Sequence, residues 1–270
     1  MGSGIAQTAA QSGMDVLVYD IASNALQKSD AEVGKSLDRL IKKEVLNQKQ
    51  KEEVLKKIKY TTQFDDLKSC DLCIEAVTEN ETLKLEIFKK LDATVKSETI
   101  LASNTSSISI TKIGSVTKRP DKVVGMHFMN PVPLMKLVEG IRGLATSSET
   151  FDRTKELAKK MGKTFVEARD FPGFIVNRIL MPMINEAIYA LYEGVAQPEA
   201  IDSAMKLGTN QPMGPLALGD FIGLDTCLAI MNVLHDGLGD SKYRPCPLLI
   251  KYVEAGWLGK KSGRGFYKYN

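Results

Sequence analysis

Short apolar runs separated by stretches of helical period constrain this chain more than any other feature. Residues 14–19, 72–77, 99–103, 123–128, 137–140 and 164–168 read as strands. Residues 3–12, 24–58, 81–92 and 150–161 carry the helical pattern. Strands that alternate with helices imply a largely parallel, doubly wound sheet with helices on its faces. From Pro172 the texture changes. Residues 175–191 read as one long helix with a mostly apolar surface, which calls for burial between partners. Further helices are expected near 198–206 and 220–236. The polar tail KKSGRGFYKYN carries aromatics able to pack back.

A chain of 270 residues has room for two domains. Its net charge of +3, with no basic tail, argues against a nucleic-acid partner. Its apolar runs fall well short of the roughly 20 residues that span a bilayer, so no membrane partner is expected. No basic-then-apolar leader opens the chain, which argues against secretion. Four cysteines are scattered, and a reducing cytoplasm suits them. Cys70 and Cys73 have the spacing of a redox or zinc pair. Apolar neighbours and the want of a second pair of soft ligands favour a buried strand instead, and no metal is expected.

The opening stretch, MGSGIAQTAAQSGMDVLVYD, is a helix of small residues followed by a strand that ends at Asp20. Gly2, Ser3 and Gly4 suit the close of a dinucleotide-binding turn, or simply a helix start that needs small residues. An acid where Asp20 stands accepts hydrogen bonds from a ribose 2′-hydroxyl and disfavours an added phosphate. The lysine-rich stretch at 24–58 reads as two helices joined near Asn47. Its basic face is either solvated surface or a phosphate site.

Three polar stretches stand at the ends of apolar strands: Ser103–Ser106, the run from His127 to Pro131, and Glu139. Open α/β sheets bind ligands at that edge. His127 taken alone is structural or catalytic. Glu139 shifts the balance, because an acid on an apolar strand needs a partner. A His–Glu pair makes a base of fixed tautomer, suited to taking a hydroxyl proton as hydride leaves carbon. Ser106 is placed to bind a substrate oxygen. Asn177 either enters the same cleft or makes an interhelical amide contact. Asn104 binds ligand or turn backbone. Glu75 and Glu79 are solvated acids or part of the cofactor edge, and His235 reads as structural.

Read together, these stretches resemble the short-chain L-3-hydroxyacyl-CoA dehydrogenases, closest to the bacterial 3-hydroxybutyryl-CoA enzymes. The segments that carry the resemblance are GSGIAQ, EAVTENETLKLEIF, LASNTSSISIT, RPDKVVGMHFMNPVPLMKLVEG, DFPGFIVNRILMPMINEA, AMKLGTNQPMGPLALGDFIGLDT and GWLGKKSGRGFY. It spans residues 1–270. It implies a Rossmann-like NAD-binding domain over 1–168, with a helical insertion at 24–59. It implies an all-helical domain over 169–270 that serves dimerisation and substrate binding. His127 would be the general acid/base, oriented by Glu139. Ser106 and Asn177 would bind the substrate oxygen. Gly2, Asp20, Glu79, Lys84, Asn104 and Asn130 would line the NAD site. Ser36 and Lys43, seven apart on one helix face, would meet the acyl-CoA. A homodimer in the cytoplasm is implied. Family members carry a first strand and glycine turn ahead of the position of Met1, so weakened NAD binding and impaired activity are expected of the chain as it stands. Other readings are a related NAD-dependent dehydrogenase acting on free hydroxy acids, a non-enzymatic binding protein that keeps the fold, and the broad acyl-length dehydrogenase module of a fatty-acid oxidation complex.

Overall fold

A computed structural model describes residues 1–269, and the chain divides into two compact units, Met1–Asp170 and Phe171–Asn270. In the first unit, helix α1 (Gly2–Gln11) leads into strand β1 (Val16–Tyr19). Helices α2 (Ser23–Lys42) and α3 (Gln48–Lys56) follow, then strand β2 (Ile58–Thr61), which pairs in parallel with β1. Asn47 caps α3 by accepting the Gln50 N–H, and the Gln50 side chain returns a bond to the Asn47 N–H. Strand β2 corrects the reading of 24–59 as wholly helical. Ile58 keeps the helical period from Val54, yet Ile58 and Tyr60 alternate with Lys59 and Thr61, which is strand spacing.

Strands β3 (Leu72–Glu75), β4 (Ile100–Ser103), β5 (Val123–Phe128), β6 (Leu137–Arg142) and β7 (Thr164–Arg169) form a second sheet in that order. Helix α4 (Glu81–Thr94) joins β3 to β4, short α5 (Ile110–Gly114) precedes β5, and α6 (Ser148–Lys160) joins β6 to β7. The other neighbours are parallel, but β5 and β6 run antiparallel. The connection 129–136 holds no helix and turns the chain straight back, as antiparallel pairing requires. The doubly wound strands thus form two hydrogen-bonded ladders. No hydrogen-bond ladder joins β1 to β3, and both strands line a cleft of about 1460 Å³ within this unit. Ile100, Val124, Met126, Phe128, Val138 and Phe151 make the larger core, to which α1 adds Ile5. Ala10, Val33, Leu37, Val54 and Ile58 pack the helical layer against β2.

The second unit is helical: α7 (Val176–Tyr192), α8 (Pro198–Thr209), α9 (Pro215–Ile222), α10 (Leu224–Leu238) and α11 (Pro247–Glu254). Met181, Ile184 and Ile188 of α7 pack with Leu216, Leu224, Met231, Leu234 and Leu249. The helix expected near 220–236 is broken. Gly223, at φ +104°, separates α9 from α10, and the two axes bend by 98°. The tail does pack back. Tyr267 donates to Asp202 at 2.8 Å and Tyr269 to Asp220 at 2.9 Å. No single helix among the described residues is long and apolar enough to cross a membrane.

Candidate active site

The antiparallel turn-back builds the central pair. His127 on β5 lies opposite Glu139 on β6, and residues directly opposite in a ladder bring their side chains into contact. His127 Nδ1 is 2.8 Å from Glu139 Oε2. Both are buried, His127 at 8% and Glu139 at 1% exposure, so solvent screens the pair little. An ionised Glu139 takes the Nδ1–H, which fixes the tautomer and leaves proton exchange to Nε2.

A second network shapes the loop after β4. Glu75 ends β3, buried, and its Oε1 accepts from Lys84 Nζ at 2.7 Å and from the Val77 N–H at 2.6 Å. Its Oε2 accepts from Ser103 Oγ at 2.7 Å. Lys84, on α4, also reaches Glu79 at 3.6 Å. Glu79 Oε1 accepts from Thr105 Oγ1 at 2.5 Å, from the N–H groups of Ser106 and Ser107 at 3.0 Å each, and from Ser107 Oγ at 2.8 Å. Burial acts to raise the Glu79 carboxyl pKa. The bonds from Thr105 and Ser107, the Lys84 charge and the Ser106 N–H outweigh it, and the net shift is downward. The loop therefore wraps a carboxylate, and Ser106 Oγ, 3.4 Å from that oxygen, is its most weakly held hydroxyl.

The sequence-predicted residues take different stations. Asn104 binds backbone: its Oδ1 accepts the Phe128 N–H at 2.9 Å, tying the end of β4 beside His127. Asn130 is exposed. Lys84 is 1% exposed, with its ammonium committed to Glu75, Glu79 and the Val77 carbonyl, so it braces the loop from beneath. Ser36 is half-buried on α2, while Lys43 caps the end of that helix and is exposed. Asn177 lies buried in the first turn of α7 in the second unit. By sequence alone Glu75 is either a solvated acid or part of the cofactor edge. It proves to be the buried anchor of the network, and the alternation of strand β3 was the signal for it. Among the described residues no cluster of three or more metal-ligating side chains occurs.

Gly2 and Ser3 open α1 on the cleft between the sheets, and Asp20 lines the same cleft at the end of β1. Residues 1–171 match the family model for the 3-hydroxyacyl-CoA dehydrogenase NAD binding domain, and residues 173–269 match the 3-hydroxyacyl-CoA dehydrogenase C-terminal domain. The chain belongs to the 3-hydroxyacyl-CoA dehydrogenase family. A probable 3-hydroxybutyryl-CoA dehydrogenase of Bacillus subtilis is 61% identical over 269 residues, covering 100% of this chain and 94% of that relative. A 3-hydroxybutyryl-CoA dehydrogenase of Bradyrhizobium diazoefficiens is 57% identical, covering 100% of this chain and 92% of the relative. The crystal structure of the (S)-3-hydroxybutyryl-CoA dehydrogenase of Ralstonia eutropha superposes with a TM-score of 0.98 at 55% identity, over 100% of this chain and 95% of that one.

The cofactor of this dehydrogenase is NAD, and the cleft has features that suit it. A side-chain carbon built on Gly2 meets nothing within 4 Å, which leaves the helix start open to a phosphate. Asp20 Oδ1 accepts the Ala22 N–H at 2.9 Å, and its other oxygen accepts nothing from the described residues. One carboxylate oxygen thus shapes the turn and the other is left for a ribose hydroxyl.

Proposed function

We propose that this dehydrogenase interconverts (S)-3-hydroxybutyryl-CoA and acetoacetyl-CoA, with His127 as the general acid/base. The observation that carries the proposal is the buried His127–Glu139 contact of 2.8 Å. NAD, when bound, supplies the hydride acceptor at the substrate's C3. In oxidation, His127 Nε2 takes the hydroxyl proton, and Glu139 steadies the imidazolium that forms. In reduction the same nitrogen returns the proton. Ser106 holds the oxygen on which charge develops, and Asn177 is the substrate-binding residue of the helical unit. Gly2, Asp20, Glu79, Asn104 and Asn130 serve the cofactor side, and Lys84 serves it through Glu79. Ser36 and Lys43 meet the acyl-CoA, whose remote binding energy positions a small acyl group. The four-carbon acyl group is supported by the names of the relatives above.

The free carboxylate oxygen of Asp20 favours NAD over its 2′-phosphorylated form. A homodimer through the helical unit is supported by the large apolar side chains exposed there, among them Ile179, Val195, Leu207 and Phe221. The cytoplasm remains the compartment that suits four free cysteines. The test is oxidation of NADH with acetoacetyl-CoA, run beside His127→Gln and beside free acetoacetate. Turnover of the thioester, lost by orders of magnitude in the variant, is the expected result. Equal turnover of the free acid, or an active variant, would overturn the assignment.

A further inference from the structure

Lys163 sits between α6 and β7, outside the two networks described above. Its side chain is buried, and its ammonium donates to the carbonyl oxygens of Val132 at 2.5 Å and Met135 at 2.8 Å. No carboxylate forms an ion pair with it among the described residues, and burial lowers its pKa. A buried cation held only by neutral carbonyls is a costly arrangement, so the segment it holds matters.

Both carbonyls belong to the connection 129–136 between β5 and β6. That connection leaves β5 just after His127 and enters β6 just before Glu139. Neither of these two carbonyls accepts another hydrogen bond from the described residues, so Lys163 is their one donor there. The next residue continues the grip, since the Thr164 N–H donates to the Lys136 carbonyl at 2.7 Å. The other side of the connection meets α1. Val132 is 2% exposed, and a side-chain carbon built on Gly4 would stand 3.0 Å from Val132 Cβ and 3.4 Å from Pro133 Cδ. The loop is therefore held between a buried ammonium and the first turn of the helix that opens on the cofactor cleft.

We infer that Lys163 is a positioning residue for the His127–Glu139 pair, acting by pinning the connection 129–136 against α1. The inference rests on the reading of His127 as acid/base. It assigns Lys163 no contact with substrate and no proton. Loss of its two hydrogen bonds frees the loop, and the base then samples positions displaced from the reacting hydroxyl.

The experiment uses the full chain with Lys163→Met, which keeps length and removes the donors. Turnover and KM for acetoacetyl-CoA are measured together with thermal melting and the imidazole resonances. The chain has only two histidines, so His235→Gln assigns the His127 signals directly. The expected result is a fall in kcat of about 10- to 100-fold with KM within about twofold, and broadening of the downfield Nδ1 proton of His127. Gly4→Ala crowds Val132 from the opposite side without touching any charge. It should reproduce both signatures, and it carries the test if Lys163→Met does not fold. Unchanged kcat in either folded variant overturns the inference. So does a lower melting temperature with the His127 proton signal intact, which marks a purely structural lysine. His127→Gln separates the two readings: if it stays active the acid/base assignment falls, and if it is inactive while Lys163→Met is normal only the positioning role falls.

Discussion

Replacing Glu139 by glutamine removes one charge from a site 1% exposed while keeping the side chain's shape. The amide oxygen still accepts the His127 Nδ1–H, so the tautomer survives. What changes is the response when His127 takes its second proton. A hydrogen bond to a charged group contributes about 1.5–3 kcal/mol against about 1 kcal/mol for a neutral one. That difference alone slows turnover by about tenfold, at about 1.4 kcal/mol per decade. The upper bound is Coulombic. Unit charges about 4 Å apart interact by roughly 4 kcal/mol at an effective dielectric constant of about 20, which is about a thousandfold. Burial of both partners places the expected loss between these limits, about 10- to 1000-fold in kcat. KM for acetoacetyl-CoA should change little, because Glu139 is 1% exposed and acts through His127. The assay is steady-state NADH oxidation with circular dichroism as the folding control. A folded variant turning over within threefold of the parent would refute the claim that this carboxylate stabilises the imidazolium.

Lys84→Met leaves the buried Glu75 carboxylate without its cation, and a destabilisation of about 3–5 kcal/mol is expected in urea titrations. A loss below about 1 kcal/mol would mean that the hydrogen bonds from Ser103 and Val77 suffice. Asp20→Ala should raise KM for NADH by roughly tenfold and narrow the discrimination against NADPH; an unchanged ratio of the two would remove Asp20 from the ribose site. Glu79 offers a test with acid. Its folded pKa lies below the ordinary 4.5, so its contribution is complete above 4.5 and is lost as pH falls through the lower folded value. Melting curves between pH 7 and 3 should therefore fall less steeply for Glu79→Gln than for the parent, and identical slopes would show that the loop does not depend on this carboxylate.

Much of the fold was legible because period is a local property. The apolar run of 72–77 and the helical spacing of 81–92 each read as strand and helix without knowledge of their neighbours. Where period failed, two patterns overlapped in one residue, as at Ile58, or a single backbone torsion intervened, as at Gly223. The pairing of His127 with Glu139 was inferred from a weaker signal, an acid stranded on an apolar strand. Its basis is desolvation: a buried carboxylate must find a partner, and few were available.

By itself the sequence determined the alternating first unit, the helical second unit, the residue types that suit hydride and proton exchange, and a family resemblance spanning the chain. The tertiary structure decided what a linear pattern cannot encode. It reversed β6 against β5, and so converted a separation of twelve residues into a 2.8 Å contact. It buried Lys84 and set its ammonium against both Glu75 and Glu79. It also gave Lys163 its two carbonyls across thirty-one and twenty-eight residues of chain. Hydrophobic periodicity records only which face of an element is buried. Strand direction and the partners of a buried charge depend on where distant segments meet, and the chain acquires those contacts only when it folds.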